Sequence, residues 1–150
     1  MAKSIQHQLF FQHPPQAVWE YLTKAGLMEL WLMKNDFEPV IGHEFQFRTK
    51  PVPSLAFDGI VYCKVLEIEP FKRLSYSWKL GPGDGTINVD SVVRWELLPK
   101  DNGTELLLDH GDFTILENMG IFDGMYKGWL ENMHKIANNL NLANHGTTSA

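Results

Sequence analysis

The chain is poor in cysteine, has no clustered charge and contains no long apolar run. Its one cysteine, Cys63, excludes an internal disulfide and a paired-thiolate zinc site, and it fits a reducing, cytoplasmic setting. A lone thiol of this kind belongs in the core. Thirteen Lys and Arg against eighteen Asp and Glu give a net charge of -5. The basic residues are scattered from Lys3 to Lys135, so the phosphate-binding stripe of a nucleic-acid partner is missing. No run reaches the roughly 18 apolar residues of a membrane span, and MAKSIQHQLFFQHPPQ lacks the apolar centre of a signal peptide. His43 and His110 have no close-spaced ligand partner, so no metal is expected. The loop GPGDG lacks the lysine and following helix of a phosphate cradle, which makes it a turn and leaves no cofactor implied.

What the chain does have is aromatic mass. Five Trp, nine Phe and four Tyr in 150 residues must mostly be hidden, and a single domain of this length can bury them. IQHQLFF alternates, with Ile5, His7, Leu9 and Phe11 on one face of a first strand. HPPQAVWEYLTKAG reads as a helix opened by Pro14 and Pro15 and closed by Gly26, and LMELWLM as a second short helix over 27–33. From Gly42 the period becomes two. Phe45 and Phe47, then Val61, Cys63 and Val65, then Leu74, Tyr76, Trp78 and Leu80, then Val89, Ser91, Val93, Trp95 and Leu97 each share a face. Asn102-Gly103 signals a tight hairpin before Leu106, Leu108 and His110.

Thr114 and Glu117 have capping-box spacing, and from there Met119, Phe122, Tyr126, Trp129, Leu130, Met133, Ile136, Ala137 and Leu140 recur at helical spacing. The predicted class is α+β: a strand, two short helices, a run of about six antiparallel strands and one long C-terminal helix round which the curved sheet wraps. Residues 1–142 form the single domain, and 143–150 are expected to be a flexible tail.

Together, HPPQAVW at a helix opening, GHEFQF, a strand running into EIEPFKRL, NGTELLLDHGDF and the pair Gly128-Trp129 resemble the activator-of-Hsp90-ATPase homologue branch of the START-like, Bet v 1-like helix-grip superfamily. The resemblance spans nearly the whole chain. It implies a hydrophobic cavity between sheet and helix, of the kind in which superfamily members hold lipids, hormones or polyketides. It also implies three readings: a binding protein for an apolar or amphipathic small molecule, a cyclase or dehydratase using the same cavity, or an Hsp90-linked or stress-response interaction module. A homodimer and an Hsp90-type chaperone are partners it leaves open.

The candidate ligand-binding set is Trp31, His43, Phe45, Phe47, Tyr76, Trp78, Trp95, His110, Phe122, Met125, Trp129 and Met133, with His43 and His110 meeting as polar anchors. So many wide rings on a concave sheet are expected to leave a void. No catalytic residue is assigned; His110 and Asp112, two apart on a strand and so on one face, are the acid/base candidates of the enzyme reading.

One feature resists a purely structural account. GIFDGMYKGW places Gly120, Gly124 and Gly128 in the long helix, where each costs roughly 1 kcal/mol relative to alanine. Gly128 is expected to let the helix backbone approach the sheet, and Gly120 and Gly124 to loosen the first turns as a portal.

Overall fold

The computed structural model describes residues 4–117 and 119–148. Strand β1 (Ile5–Phe11) runs through His13 and Pro14 into α1 (Pro15–Thr23), whose opening proline has no amide proton to leave unpaired. A single turn, α2 (Ala25–Met28), precedes the short β2 (Lys34–Asn35). Strands β3 (Glu44–Arg48), β4 (Ile60–Glu69), β5 (Arg73–Leu80), β6 (Val89–Lys100) and β7 (Gly103–Leu116) follow, and α3 (Met119–Thr148) ends the fold.

The seven strands form one curved antiparallel sheet in the order β1-β7-β6-β5-β4-β3-β2. Consecutive strands from β2 to β7 are neighbours, as short links dictate, and β1 returns beside β7. The alternation read from the sequence places Val61, Cys63 and Val65, then Leu74, Tyr76, Trp78 and Leu80, then Val89, Val93, Trp95 and Leu97 in the core. Opposite them α3 buries Ile121, Trp129, Met133, Ile136 and Leu140 at helical spacing. Two histidines of the β1 segment tie this helix down: His7 Nε2 donates to the Tyr126 carbonyl at 2.8 Å, and His13 Nε2 lies 2.8 Å from Asn141 Oδ1.

Local signals and tertiary structure part company at several places. Thr114 does not cap a helix. It lies within β7, its hydroxyl 3.5 Å from the Asp90 carbonyl, because ladder pairing with β6 carries the strand on to Leu116. Of the short helix expected over 27–33, only α2 is regular; the chain beyond it continues in hydrogen-bonded turns to Leu32, and there Trp31 buries its indole and donates to the Tyr21 carbonyl at 2.8 Å. At the other end α3 is helical as far as Thr148, and residues 149 and 150 lie outside the described residues.

The β6–β7 hairpin turns on Asp101 and Asn102, both left-handed at φ 48° and 63°, rather than on Asn102 and Gly103. Gly103 instead pairs with Lys100 in the ladder. A Cβ there would stand 2.2 Å from the Phe11 carbonyl oxygen and 2.8 Å from the Phe10 ring, so the glycine is needed for close approach of β1. Gly103→Ala is expected to cost about 1–3 kcal/mol through forced backbone movement. A thermal melt within a degree of the wild type would contradict that.

Candidate functional site

Among the described residues, the inner face of the sheet buries one histidine. His110 of β7 is fully buried, and both its ring nitrogens are engaged. The Trp129 indole, which can only donate, gives its proton to Nδ1 at 2.9 Å. Nδ1 is therefore the acceptor, and the ring proton of the neutral imidazole sits on Nε2. From there it is donated to Ser91 Oγ at 2.7 Å, and the Ser91 hydroxyl in turn donates to the Trp78 carbonyl at 3.0 Å. Three strands and the long helix are thus joined by one directional chain in which every donor is used. Burial holds the His110 pKa down at about 3, because charging the ring would cost its hydration and break the bond from Trp129.

This chain explains why His110 and Asp112 do not form an acid/base pair. The β6–β7 register shifts between Asp90 and Val92, and Asp112 adopts a left-handed φ of 53°. An irregularity of this kind changes which face the next side chain takes. Asp112 is turned outward, exposed, and bonded to Arg94 on the outer face. His43 does not meet His110 either. It stacks on Phe45 at the β3 end, donates to the Asp36 carbonyl at 3.0 Å, and is separated from β7 by β4, β5 and β6.

The aromatic residues fill the concave face more completely than their number suggests. Phe37, Phe45, Phe47 and Tyr76 pack mainly edge-to-face, with ring centroids 5.0–6.5 Å apart. The Trp95 indole donates to the Tyr76 hydroxyl at 3.0 Å, and burial pushes that phenol above its ordinary pKa. Trp31 meets Trp95 edge-on at 5.9 Å, and Met133 is fully buried. Cys63 is buried among these side chains, and burial raises its thiol pKa well above the ordinary value. Phe122 lies half-buried against Phe113 on the flank of the helix.

Among the described residues, the inner face leaves space beside α3, in an apolar pocket of about 270 Å³. Val61, Trp78 and Leu80 of β4 and β5 form its floor. Ile121, Gly124, Met125, Gly128 and Trp129 form the helix wall. The third wall is the β3–β4 connection with Leu32 and Met33. Here Val52 and Phe57 pair across a 3-10 turn (Pro53–Leu55), and the Asn88 amide holds the Ala56 carbonyl at 3.0 Å. Thr49 and Asn132 supply polar atoms to the lining. Trp78, one of the two indoles in the walls, has a buried N–H without an acceptor among the described residues.

A larger groove of about 710 Å³ runs over the outer face of the sheet, but its lining mixes charged, amide and histidine side chains with Trp95, Leu107 and Leu108. Its cations are already paired, Arg73 with Glu96 and Arg94 with Asp112, so it offers no enclosure to an apolar molecule.

Of the twelve side chains proposed from sequence, Trp78, Met125 and Trp129 line the apolar pocket. Trp31, Phe45, Phe47, Tyr76, Trp95, His110 and Met133 are core, while His43 and Phe122 lie elsewhere at the periphery. The segment 49–57 was missed, since two prolines and a 3-10 turn give it no periodicity to read. The glycine row was the available signal, with a different meaning. An added Cβ at Gly124 or Gly128 meets no atom within 4 Å, so Gly128 does not serve close approach to the sheet; both glycines open onto the pocket.

A curved antiparallel sheet closed over a long C-terminal helix, with an apolar pocket on the helix flank, defines a START-like helix-grip domain. The chain belongs to the family of Activator of Hsp90 ATPase homolog 1-like proteins, whose model matches residues 12–141. It is similar to a Mesorhizobium loti protein of known crystal structure at 32% identity and TM-score 0.81, over 93% of this chain and 97% of that one. A Bacillus halodurans protein shares the fold at 22% identity and TM-score 0.70, covering 92% and 98% of the two chains. The Aha1 dimer from Colwellia psychrerythraea shares it at 16% identity and TM-score 0.71, covering 90% and 93%. No curated protein matches the chain. No helix among the described residues is long and apolar enough to cross a membrane.

Proposed function

We propose that the protein binds an apolar or amphipathic small molecule in the pocket between α3, the β4–β5 floor and the 49–57 connection. The observation that carries this reading is the pair Gly124 and Gly128. Each weakens the helix by roughly 1 kcal/mol relative to alanine, neither is needed for packing, and both leave open space beside an apolar wall. The pocket is somewhat smaller than the roughly 300–1,000 Å³ typical of drug-sized ligands, and its few polar groups are of the kind that fix orientation. The cyclase or dehydratase reading has no comparable support. His110 is committed to Trp129 and Ser91, and Asp112 lies on the other face.

The test is a melting and tryptophan-emission screen with 1-naphthol, decanoate and flavone. A probe at 100 times its Kd stabilises the native state by about 2.7 kcal/mol, a rise of about 5–10 °C at this size. Emission should change with it, since Trp78 and Trp129 are pocket walls. If no probe moves either signal, the binding reading is wrong.

A further inference from the structure

The pocket has a size and a shape, and both narrow the ligand class; this inference rests on the binding reading above. A cavity of about 150 Å³ accommodates one benzene ring, so 270 Å³ corresponds to about two fused rings, too little for a sterol or a two-chain lipid. The shape comes from the helix. Gly124 and Gly128 are one turn apart and present bare backbone to the pocket, so this wall is flat where side chains would otherwise ridge it. The facing walls contribute Trp78 and Phe57, and the helix itself Trp129, whose rings pair favourably with another ring; Met33 opposite and Met125 on the helix add thioethers that adapt to a ring edge. The Trp129 indole N–H is already given to His110, which leaves Thr49, Asn132 and the Trp78 indole N–H, without an acceptor among the described residues, as the polar groups of the lining; Thr49 and Asn132 are the two that are not indoles.

We propose that the site takes a planar bicyclic aromatic carrying one hydroxyl or similar hydrogen-bonding group, seated flat against the Gly124–Gly128 backbone with its polar edge toward Thr49 and Asn132. Gly128 then sets specificity by being small, and Asn132 sets orientation.

Calorimetric titration of the full chain with 1-naphthol, naphthalene, decanoate and flavone tests this. The expected result is that 1-naphthol binds at least tenfold more tightly than flavone or decanoate. Gly128→Leu, which puts a side chain into the slot at a helical position, should melt at or above the wild-type temperature and lose at least tenfold in 1-naphthol affinity. Gly128→Ala should fall between the two and serves if the leucine variant does not fold. Asn132→Leu should leave naphthalene affinity in place while reducing the preference for 1-naphthol over naphthalene severalfold. Tighter binding of flavone or decanoate than of 1-naphthol would overturn the ligand class and leave the binding reading standing. Undiminished 1-naphthol binding by both Gly128 variants would overturn the glycine slot. An unchanged preference in Asn132→Leu would overturn its orienting role. Failure of every probe to bind would remove both this inference and the reading beneath it.

Discussion

Trp129→Ala is expected to be among the most destabilising single substitutions in the chain, costing about 3–5 kcal/mol for the lost aromatic volume alone. Trp129 is where α3 enters the sheet. Its ring lies 5.0 Å from that of Trp78, 5.5 Å from Trp95 and 6.5 Å from Trp31, and its indole proton fixes the His110 tautomer. The substitution empties that junction and also leaves Nδ1 of a buried imidazole without its donor, a further penalty on the order of 1–3 kcal/mol if no water takes the place. At this chain length the sum lowers Tm by about 10 °C or more. Trp129→Phe separates the two contributions, because it keeps most of the ring packing and removes only the hydrogen bond; about 1–3 kcal/mol is expected for it. Denaturant titration of both variants is the measurement, and a cost below about 1 kcal/mol for the alanine variant would mean that the helix is held elsewhere.

How much of this could be read from the residues differs between the frame and the site. Strand faces were legible because period two is a local property. Leu74, Tyr76, Trp78 and Leu80 needed no tertiary information to be placed inward, and the same alternation brought His110 to the core face. The family resemblance added the grip of sheet on helix. Asp112 was misplaced because parity counting assumes a regular ladder, and one left-handed residue in β7 breaks it. Thr114 failed for the converse reason, a local capping pattern overridden by pairing with β6.

The pocket was harder still, since whether large rings enclose space or fill it depends on their mutual tilt. Phe37 and Phe45 meet at 90°, Phe45 and Tyr76 at 79°, and edge-to-face contacts of this kind tile a concave surface without leaving a void. The void lies instead where side chains are absent, beside two glycines, and where the wall is a connection with no periodic pattern. Composition pointed to the aromatic end of the sheet; the space is on the flank of the helix.

The native state is also expected to lose stability on acidification, and His110 contributes a separable part of that loss. Its folded pKa is about 3, against an ordinary value near 6.5 for an exposed imidazole. Between those values the unfolded chain binds a proton that the native chain refuses, so the stabilisation is complete above about pH 6.5 and is lost as pH falls toward 3. The slope approaches about 1.4 kcal/mol per pH unit, for a total on the order of 5 kcal/mol. Carboxylates contribute to any acid limb as well, so the wild-type curve by itself does not isolate the histidine. His110→Gln does, because the amide keeps a donor and an acceptor at the site but cannot titrate. At pH 7 this variant should be less stable than the wild type by about 1–3 kcal/mol, since its amide reproduces the Trp129 and Ser91 hydrogen bonds imperfectly. On going to pH 4 the gap should close by about 3 kcal/mol, and it reverses if the initial cost is at the lower end. Guanidinium titrations of both proteins at pH 7, 5.5 and 4 measure this directly. A stability difference that stays constant across the three would show that the imidazole is not held neutral in the native state, and the directional chain from Trp129 to the Trp78 carbonyl would have to be redrawn.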